Sequence, residues 1–231
     1  MEKIKTILLF GAPGSGKGTQ GKMLGALPGF YHLACGDVFR SIDLNSEVGK
    51  VFLRYSSKGE LVPDDFTVRL WKEHIDKLIH TGAFKPATTN LVLDGIPRNI
   101  HQAKMLDPYI EVMKLICLRA VHNREEMIRR LKSRALKDNR LDDANEETIR
   151  HRLEVYDSES RPVLAYYPKD LRIDVDALQS PIEVAHDILS AVLGRTQELH
   201  AVEAPVVVGA ASRRSRSGRR KPSQAIETTE K

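Results

Sequence analysis

The sequence has only two cysteines in 231 residues, Cys35 and Cys117, and their separation fits neither a metal site nor a disulfide framework. No apolar run is long enough to cross a bilayer, and the short run after Lys5 lacks the cleavage site of a signal peptide. The eight histidines form no metal or triad pattern with a nearby cysteine or aspartate. These absences predict a soluble protein that works in a reducing cytoplasm without contact to a membrane.

What the sequence does contain is typical of a globular protein. Its length suits one α/β domain with small insertions. The content of 41% hydrophobic and 29% charged residues is ordinary for such a chain. Of the formal net charge of +5, the segment 196–231 carries more than half, with seven Lys or Arg against four Glu. The body of the chain is therefore not basic enough to indicate a nucleic-acid-binding fold.

The segment 7–19 places a short apolar run directly before a glycine-rich loop that ends in Gly16-Lys17-Gly18-Thr19. Glycines at 11, 14, 16 and 18 allow positive φ, so successive backbone N–H groups can point into one anion-binding concavity. A helix that opens near Ser15 and the Lys17 charge add to the same field. The spacing matches G-x-x-x-x-G-K, but Gly18 stands where Ser or Thr usually follows the lysine. This loop predicts a phosphate site and leaves ATPase, GTPase and kinase open.

Apolar runs alternate with helical patterns along the rest of the chain, and this alternation predicts a parallel sheet. Strands are expected at 4–10, 91–94, 114–118 and 171–175. Helices are expected at 16–27, 64–79, 100–107, 124–136, 145–167 and 181–193. The expected architecture is a three-layer α/β/α P-loop NTPase fold. Two segments lie outside the alternation: 36–63, with short helical patterns broken at Gly49 and Gly59, and 135–143, which is polar and charged.

Charged residues near the ends of the predicted strands indicate which of these reactions the site suits. Asp94 ends a buried strand, which is where a P-loop protein holds Mg²⁺, commonly through water. The turn 95–97 then delivers Arg98 to the carboxyl edge of the sheet, where ligands of open α/β folds bind. Further arginines at 40, 130, 134, 140 and 152 are candidates for the same cleft. Several forked donors suit phosphoryl transfer between two nucleotides, because negative charge is spread over oxygens of the moving group.

Five ordered segments resemble the adenylate kinase family, and the resemblance covers most of residues 4–193. The segments are Gly-Ala-Pro-Gly-Ser-Gly-Lys-Gly-Thr at 11–19, Cys-Gly-Asp-Val-Phe-Arg at 35–40, Gly-Glu-Leu-Val-Pro-Asp at 59–64, Leu-Asp-Gly-Ile-Pro-Arg at 93–98, and Arg-Leu-Asp-Asp at 140–143 followed by Glu-Thr-Ile-Arg-His-Arg-Leu at 147–153. The resemblance implies reversible transfer of the γ-phosphoryl group of Mg-ATP to AMP, giving two ADP. It also implies a kinase domain at 1–194, with a small helical monophosphate-binding insertion at 36–63 and a short lid at 135–143.

The resemblance implies a role for individual residues. The ATP site would comprise Gly14, Ser15, Gly16, Lys17, Gly18, Thr19, Arg130 and, through a backbone carbonyl near the adenine, Gln179. The AMP site would comprise Cys35, Arg40, Glu60, Leu61, Val62, Gly95, Arg98, Gln102, Arg140 and Arg152. The catalytic charges would be Lys17, Arg98, Arg134, Arg140 and Arg152, with Asp94 on the Mg²⁺ side. Asp142 and Asp143 would set the closed geometry of the lid. Arg129, Lys132 and Arg150 are expected to be surface charges.

The departures from the family pattern concern the lid and the acceptor base. The short lid has no cysteines, which predicts that zinc is absent. Cys35 replaces the usual threonine, and Asn99 after Arg98 is also found in the UMP/CMP kinases. Gln102 matches the adenylate kinase glutamine whose amide reads adenine, and a paired donor and acceptor discriminates bases better than a thiol. A UMP/CMP kinase on the same scaffold remains the alternative.

The segment 195–231 has a different composition, without helical or strand periodicity, and is predicted to be a disordered tail. Residues 213–221 carry six basic side chains and no acidic one. Weak contact with nucleic acid or an acidic surface and a solvated tail without a role are both open. A nucleotide-sensing core with a nucleic-acid-binding tail is therefore a third hypothesis. We expect a monomer with ATP and AMP as substrates.

Overall fold

The computed structural model describes residues 2–120, 123–138, 143 and 145–194. Its centre is a parallel sheet with the strand order β2-β3-β1-β4-β5. The strands are β1 Ile4–Gly11, β2 Phe30–Ala34, β3 Asn90–Asp94, β4 Ile110–Arg119 and β5 Arg172–Asp176. Every pair of neighbours is parallel, so all carboxyl ends lie at one edge of the sheet. The predicted α/β fold with a parallel sheet is confirmed.

Helices cover both faces of the sheet. They are α1 Lys17–Gly25, α2 Cys35–Arg40, α3 Glu47–Ser56, α4 Asp64–His80, α5 Ile100–Leu106, α6 Arg124–Asp138, α7 Glu146–Val155 and α8 Pro181–Val192. A π-helical turn at Tyr156–Ser160 and short 3-10 segments at Arg161–Ala165 and Lys169–Leu171 lie between α7 and β5. Among the described residues, no helix has both the length and the apolar character needed to span a membrane.

The core is divided by the sheet into two apolar layers. Leu8 and its cross-strand partners Leu93 and Leu115 pack in one layer with Trp71 of α4. Neighbouring positions along the same strands, such as Val92, point to the opposite layer, where α1 and α8 pack. Because successive side chains of a strand alternate between faces, strands buried on both sides must be apolar throughout. This explains the near-continuous apolar runs in the sequence.

The sequence prediction omitted one strand, β2. Its residues Phe30, Tyr31, His32 and Ala34 are only partly buried, and Leu33 alone is buried. An edge strand has one neighbour and less burial, so it lacks the continuous apolar pattern of the central strands. In the structure β2 pairs with β3 over its whole length. The omission matters for function, because β2 delivers Cys35 to the same edge as Asp94.

The insertion 36–63 also differs from the prediction at Gly49, which lies inside α3 and does not break it. Ser46 caps this helix by accepting a hydrogen bond from the Gly49 N–H. A Cβ on Gly49 would lie 2.2 Å from the carbonyl oxygen of Asp43, so the glycine serves close packing. Gly59, with φ of +76°, does follow the helix as expected.

Other helices also differ from their predicted bounds: α1 ends at Gly25 rather than at residue 27, and two further differences lie after β4. The single helix expected at 145–167 is regular only to Val155, and Pro162 lies at the start of the following 3-10 segment. Because proline has no backbone N–H, a regular α-helix could not keep its hydrogen bonding through position 162. Helix α6 extends to Asp138, so the first residues of the expected lid continue a helix.

Candidate active site

The glycine-rich loop joins β1 to α1 at the carboxyl edge of the sheet. Gly11, Gly14 and Gly16 have φ of 147°, 85° and 96°, values that side chains disfavour. Helix α1 then begins at Lys17, with Gly16 in the left-handed conformation before it. Gly18 was also expected to allow a positive φ, but it lies in the first turn of α1. A Cβ there would meet nothing nearer than Oδ2 of Asp94, at 3.9 Å. The protein itself therefore leaves open space beside Gly18.

Lys17 lies at the centre of this loop. Its Nζ donates to the carbonyl oxygens of Gly11 at 2.7 Å and Ala12 at 3.1 Å. Burial lowers the pKa of Lys17 to about 8; Asp94 opposes this shift, and three arginines, Arg98, Arg134 and Arg152, add to it. Arginines from three distant parts of the sequence are thus each close enough to repel the Lys17 charge. A site built in this way favours a polyanion, which offsets the repulsion.

One cleft of about 700 Å³ connects the loop, β2, β3, α3, α6 and the segment after β5. All the site residues expected from the sequence that the structure describes line this cleft: Gly14, Ser15, Gly16, Lys17, Gly18, Thr19, Cys35, Arg40, Glu60, Leu61, Val62, Asp94, Gly95, Arg98, Gln102, Arg130, Arg134, Arg152 and Gln179. Arg140 and Asp142 lie outside the described residues, as do the rest of lid residues 139–142 and the tail 195–231.

Two arginines of the cleft converge on one buried acid, Asp143. Arg134 donates from Nε to Oδ2 of Asp143 at 2.8 Å, and Arg152 donates from Nη1 to Oδ1. The Asp143 side chain has no exposed surface. A buried carboxylate between two guanidinium groups fixes both of them in direction, because each planar fork must face an oxygen. The sequence prediction gave Asp143 a place in the lid and missed that it links α6 to α7.

The other cleft arginines are held individually. Arg98 donates from Nε to the carbonyl oxygen of Gly95 at 2.8 Å, and Arg40 pairs with Asp37 within α2. Arg130 donates to Glu126 at 2.8 Å and to the carbonyl oxygen of Ala177 at 2.9 Å, which ties α6 to the loop after β5. The charges expected at the surface pair away from the cleft: Arg129 with Glu126, and Lys132 and Arg150 with Glu146.

The loop after β5 closes one end of the cleft. Gln179 donates from Nε2 to Oδ2 of Asp187 at 3.0 Å, and Gln20 of α1 donates to the carbonyl oxygen of Pro181 at 2.9 Å. Helix α8 starts there with a capping box between Ser180 and Glu183. Gln20 was not among the expected site residues, although its position next to Thr19 in the phosphate loop could have suggested it.

The other end of the cleft lies between α2, α4 and α5. Cys35 is buried there beside Gly95, and burial raises the pKa of its thiol to about 11. Gln102 is 1% exposed and is bonded at both ends of its amide, to Asp64 and to the backbone of Arg98. Asp64 was part of a quoted motif without a role. Its contacts with α5 could not be read from the sequence, because they join residues about 35 positions apart.

Asp94 ends β3 on the floor of the cleft and is 7% exposed. Its carboxylate lies beside the first turn of α1, near Lys17 and the open space at Gly18. Oxygen donors of this kind suit Mg²⁺, which needs only one or two carboxylates when phosphates and water complete its shell. Within the described ranges, no three His, Cys, Asp or Glu side chains form a group that could hold a metal ion.

Comparison with known proteins agrees with this geometry. The family model described as adenylate kinase matches residues 9–172. An adenylate kinase of Thermobifida fusca (strain YX) is 37% identical over 194 residues, which is 82% of this chain and 98% of the relative. One of Mycolicibacterium vanbaalenii is 37% identical over 193 residues, covering 82% of this chain and 99% of the relative. One of Flavobacterium psychrophilum is 37% identical over 167 residues, covering 70% and 83%.

Proposed function

The chain belongs to the adenylate kinase family, and on this basis we propose that it transfers the γ-phosphoryl group of ATP reversibly to AMP. The observation that carries the proposal is the convergence of Lys17 with Arg98, Arg134 and Arg152 on one cleft. Two nucleotides bound end to end bring several negative charges into that space. Few other ligands would engage one lysine and three arginine side chains at once.

We assign the phosphates of ATP to the loop 14–19 and to Lys17. Residues 14–19 line the cleft, and the unpaired backbone N–H groups and dipole at the start of α1 would attract anions there. Lys17 would exchange the carbonyl oxygens of Gly11 and Ala12 for phosphate oxygens. The base would lie between Arg130 and Gln179, where the loop after β5 forms a wall.

We assign the monophosphate to Arg40, Arg98 and Arg152. Arg152 lines the cleft from α7 and Arg98 from the turn after β3, so the two reach the same space from different elements. The base of the acceptor would lie among Leu61, Val62, Cys35 and Gln102, whose surfaces are mostly apolar apart from the Gln102 amide. Arg140 would complete the set from the lid.

Asp94 would hold the Mg²⁺ that accompanies ATP through a bridging water. The ion supplies charge neutralisation between the phosphates when it is bound. The chain's own residues do the rest: Lys17 and the arginines orient the two nucleotides and stabilise the charge of the transferred group. No side chain has to act as nucleophile or general base, because the attacking phosphate oxygen is already ionised.

Transfer also requires that water be excluded, since ATP would otherwise be hydrolysed. We therefore propose that the insertion 36–63 and the lid 135–143 close over both substrates. An analogue that joins two adenosines through phosphates should bind far more tightly than ATP alone, as measured by calorimetry. Equal affinity for the analogue and for ATP would contradict two adjoining nucleotide sites.

The second candidate, a UMP/CMP kinase, is motivated by Asn99. In the structure Asn99 caps α5 and donates to Asp64, so its side chain serves the local fold. This favours AMP as the acceptor. The deciding measurement is steady-state phosphorylation of AMP, UMP and CMP with Mg-ATP. We expect the highest kcat/KM for AMP, and a faster reaction with either pyrimidine would overturn the assignment.

A matched pair of variants tests the site itself. Arg134→Met removes a cleft arginine of α6, and Arg129→Met removes an exposed arginine of the same helix that pairs with Glu126. We expect kcat to fall about a hundredfold or more in the first and to change little in the second. Equal effects would mean that the cleft is not where transfer occurs.

The remaining assignments are a monomer in the cytoplasm and a weak contact of residues 213–221 with nucleic acid or an acidic surface. Cys35 and Cys117, which are buried and not joined in a disulfide, suit a reducing compartment. Salt-dependent binding of RNA or DNA that is lost when the chain is truncated after Gly194 would support the contact. Undetectable transferase activity together with such binding would favour the nucleotide-sensing hypothesis instead.

A further inference from the structure

Asp64, the first residue of α4, receives hydrogen bonds from three side chains of the neighbouring α5 region. Asn99 donates from Nδ2 to Oδ1 at 3.0 Å, and Gln102 donates from Nε2 to the same oxygen at 2.8 Å. Nδ1 of His101 lies 3.0 Å from Oδ2. The Asp64 side chain is 22% exposed. This carboxylate is therefore the point at which the start of α4 holds the start of α5.

The contacts of Gln102 fix which end of its amide is which. Its Oε1 accepts the backbone N–H of Arg98 at 2.7 Å, and its Nε2 donates to the Asp64 carboxylate. A backbone N–H can only donate, and an ionised carboxylate can only accept. The reversed amide would face donor with donor and acceptor with acceptor. The orientation therefore follows from chemistry.

An amide held in this way still has one N–H and one oxygen lone pair to offer. Gln102 lines the cleft although it is only 1% exposed, and in the proposed function these remaining groups would meet the acceptor base. Adenine presents an acceptor at N1 beside a donor at the 6-amino group. Hypoxanthine has the same ring shape but presents the reverse, N1–H beside O6. An amide fixed in this orientation can form two hydrogen bonds with adenine. With hypoxanthine it would place donor against donor and acceptor against acceptor.

We propose that Asp64 is a positioning residue for the choice of acceptor base, because it holds the Gln102 amide in the orientation that accepts adenine and rejects 6-oxopurines. The inference rests on the proposed function, in which AMP occupies this end of the cleft. Asp64 acts through Gln102 and touches no reacting atom. Asn99 supports the arrangement through both ends of its amide, since its Nδ2 donates to Asp64 and its Oδ1 accepts the backbone N–H of Gln102 at 2.8 Å.

The test is Asp64→Asn, with Asp65→Asn as its matched control. Asp65 is the next residue of the same helix turn and is exposed. An asparagine at 64 can offer an oxygen or an amino group, so the Gln102 amide loses its strongest constraint. We expect the ratio of kcat/KM for AMP to that for inosine monophosphate to fall about tenfold in Asp64→Asn and to be unchanged in Asp65→Asn. The change should lie mainly in KM, with kcat for AMP nearly preserved.

A second variant keeps the inference testable if Asp64→Asn folds poorly. Asn99→Thr retains a side-chain oxygen to cap α5 but removes the Nδ2 donor to Asp64, and we expect a smaller fall in the same ratio. An unchanged ratio in both variants, or equal loss of activity with both nucleotides, would overturn the role of Asp64. A wild-type enzyme that does not prefer AMP to UMP and CMP would overturn the proposed function instead, which is a separate outcome.

Discussion

Arg134 of α6 and Arg152 of α7 donate to opposite oxygens of the same buried carboxylate, that of Asp143. The two guanidinium groups therefore cannot turn independently while this acid is in place. Their common partner has no exposed surface, so solvent cannot replace it. The cleft thus receives two cations whose directions are set together.

We expect Asp143→Asn to lower kcat about a hundredfold, because the neutral amide no longer holds both arginines toward the cleft. Removing one partner of a buried ionic cluster also costs about 3–5 kcal/mol of unfolding free energy. Steady-state kinetics and urea unfolding measure the two effects. The control is Glu146→Gln, which breaks exposed pairs with Lys132 and Arg150. If both variants behaved alike, the bridge at Asp143 would have no special role.

The pKa of Lys17 is about 8 in the protein without ligands, and this value predicts the pH above which the reaction with ATP slows. The protonated fraction of Lys17 falls as the pH rises through this value, and its attraction for phosphate falls with it. We expect kcat/KM for ATP, measured at AMP concentrations well below its KM so that the free enzyme is sampled, to decline above pH of about 8. In Lys17→Arg the guanidinium stays charged, so the decline should disappear even if the overall rate is lower.

The same pKa has the opposite effect on the stability of the protein without ligands. The folded pKa lies below the ordinary value of 10.5, so between about pH 8 and 10.5 the unfolded chain binds more protons. The contribution of Lys17 to the unfolding free energy therefore becomes more favourable as the pH rises through this window. The difference between wild type and Lys17→Met, followed by denaturant unfolding from pH 7 to 10, measures it. A difference independent of pH would show that the lysine is not desolvated.

Two glycines of α1 should respond differently to alanine. In Gly18→Ala the new Cβ meets nothing nearer than Oδ2 of Asp94 at 3.9 Å, so helix propensity should raise stability by up to about 1 kcal/mol. The same methyl group occupies the space between Asp94 and the proposed phosphate site, and we expect kcat to fall about tenfold or more. Thermal unfolding and kinetics together check this separation of stability from activity.

In Gly25→Ala the Cβ would lie 2.6 Å from Cβ of His32 and 3.0 Å from its backbone nitrogen. Neither atom can move without displacing β2. We expect a loss of about 1–3 kcal/mol of unfolding free energy, the usual cost of overpacking. A Gly25→Ala protein as stable as the wild type would mean that α1 and β2 are not packed as closely as the structure places them.

Both cysteines should react slowly in the folded protein. Burial raises the pKa of Cys35 and of Cys117 to about 11, so little thiolate is present at pH 8. We expect alkylation at that pH to be slow in the native state and fast in guanidinium chloride, as followed by mass spectrometry. Rapid alkylation of Cys35 in the native protein would identify it as an accessible, reactive thiol.

The central strands and the phosphate loop were predictable because their signals are local. A continuous apolar run and glycines at fixed spacing depend on the residues themselves. Strand β2 was missed because an edge strand with His32 in its middle has a weak pattern. The placement of Arg130 and Arg134 on the cleft side of α6 followed from their spacing of four residues.

The contacts that orient the site were not predictable, because they join side chains far apart in the sequence. Nothing near Asp64 indicates that Gln102 will donate to it, or near Gln20 that Pro181 will accept from it. Asp143 could be recognised as a motif residue, but its burial between Arg134 and Arg152 depends on how α6 and α7 pack. The residue types of such a site indicate its chemistry, but the orientations of its side chains depend on how the helices and strands pack.

The hydrogen bond from Gln20 to the carbonyl oxygen of Pro181 spans 161 positions of the chain. A ribosome adding about 5–20 residues per second needs about 8–32 s to pass from one residue to the other. During that interval the phosphate loop already exists, while the wall at Gln179 and Pro181 does not. The order of synthesis therefore makes the phosphate end of the cleft first and its far wall last, so a nascent chain has no complete nucleotide pocket until α8 emerges.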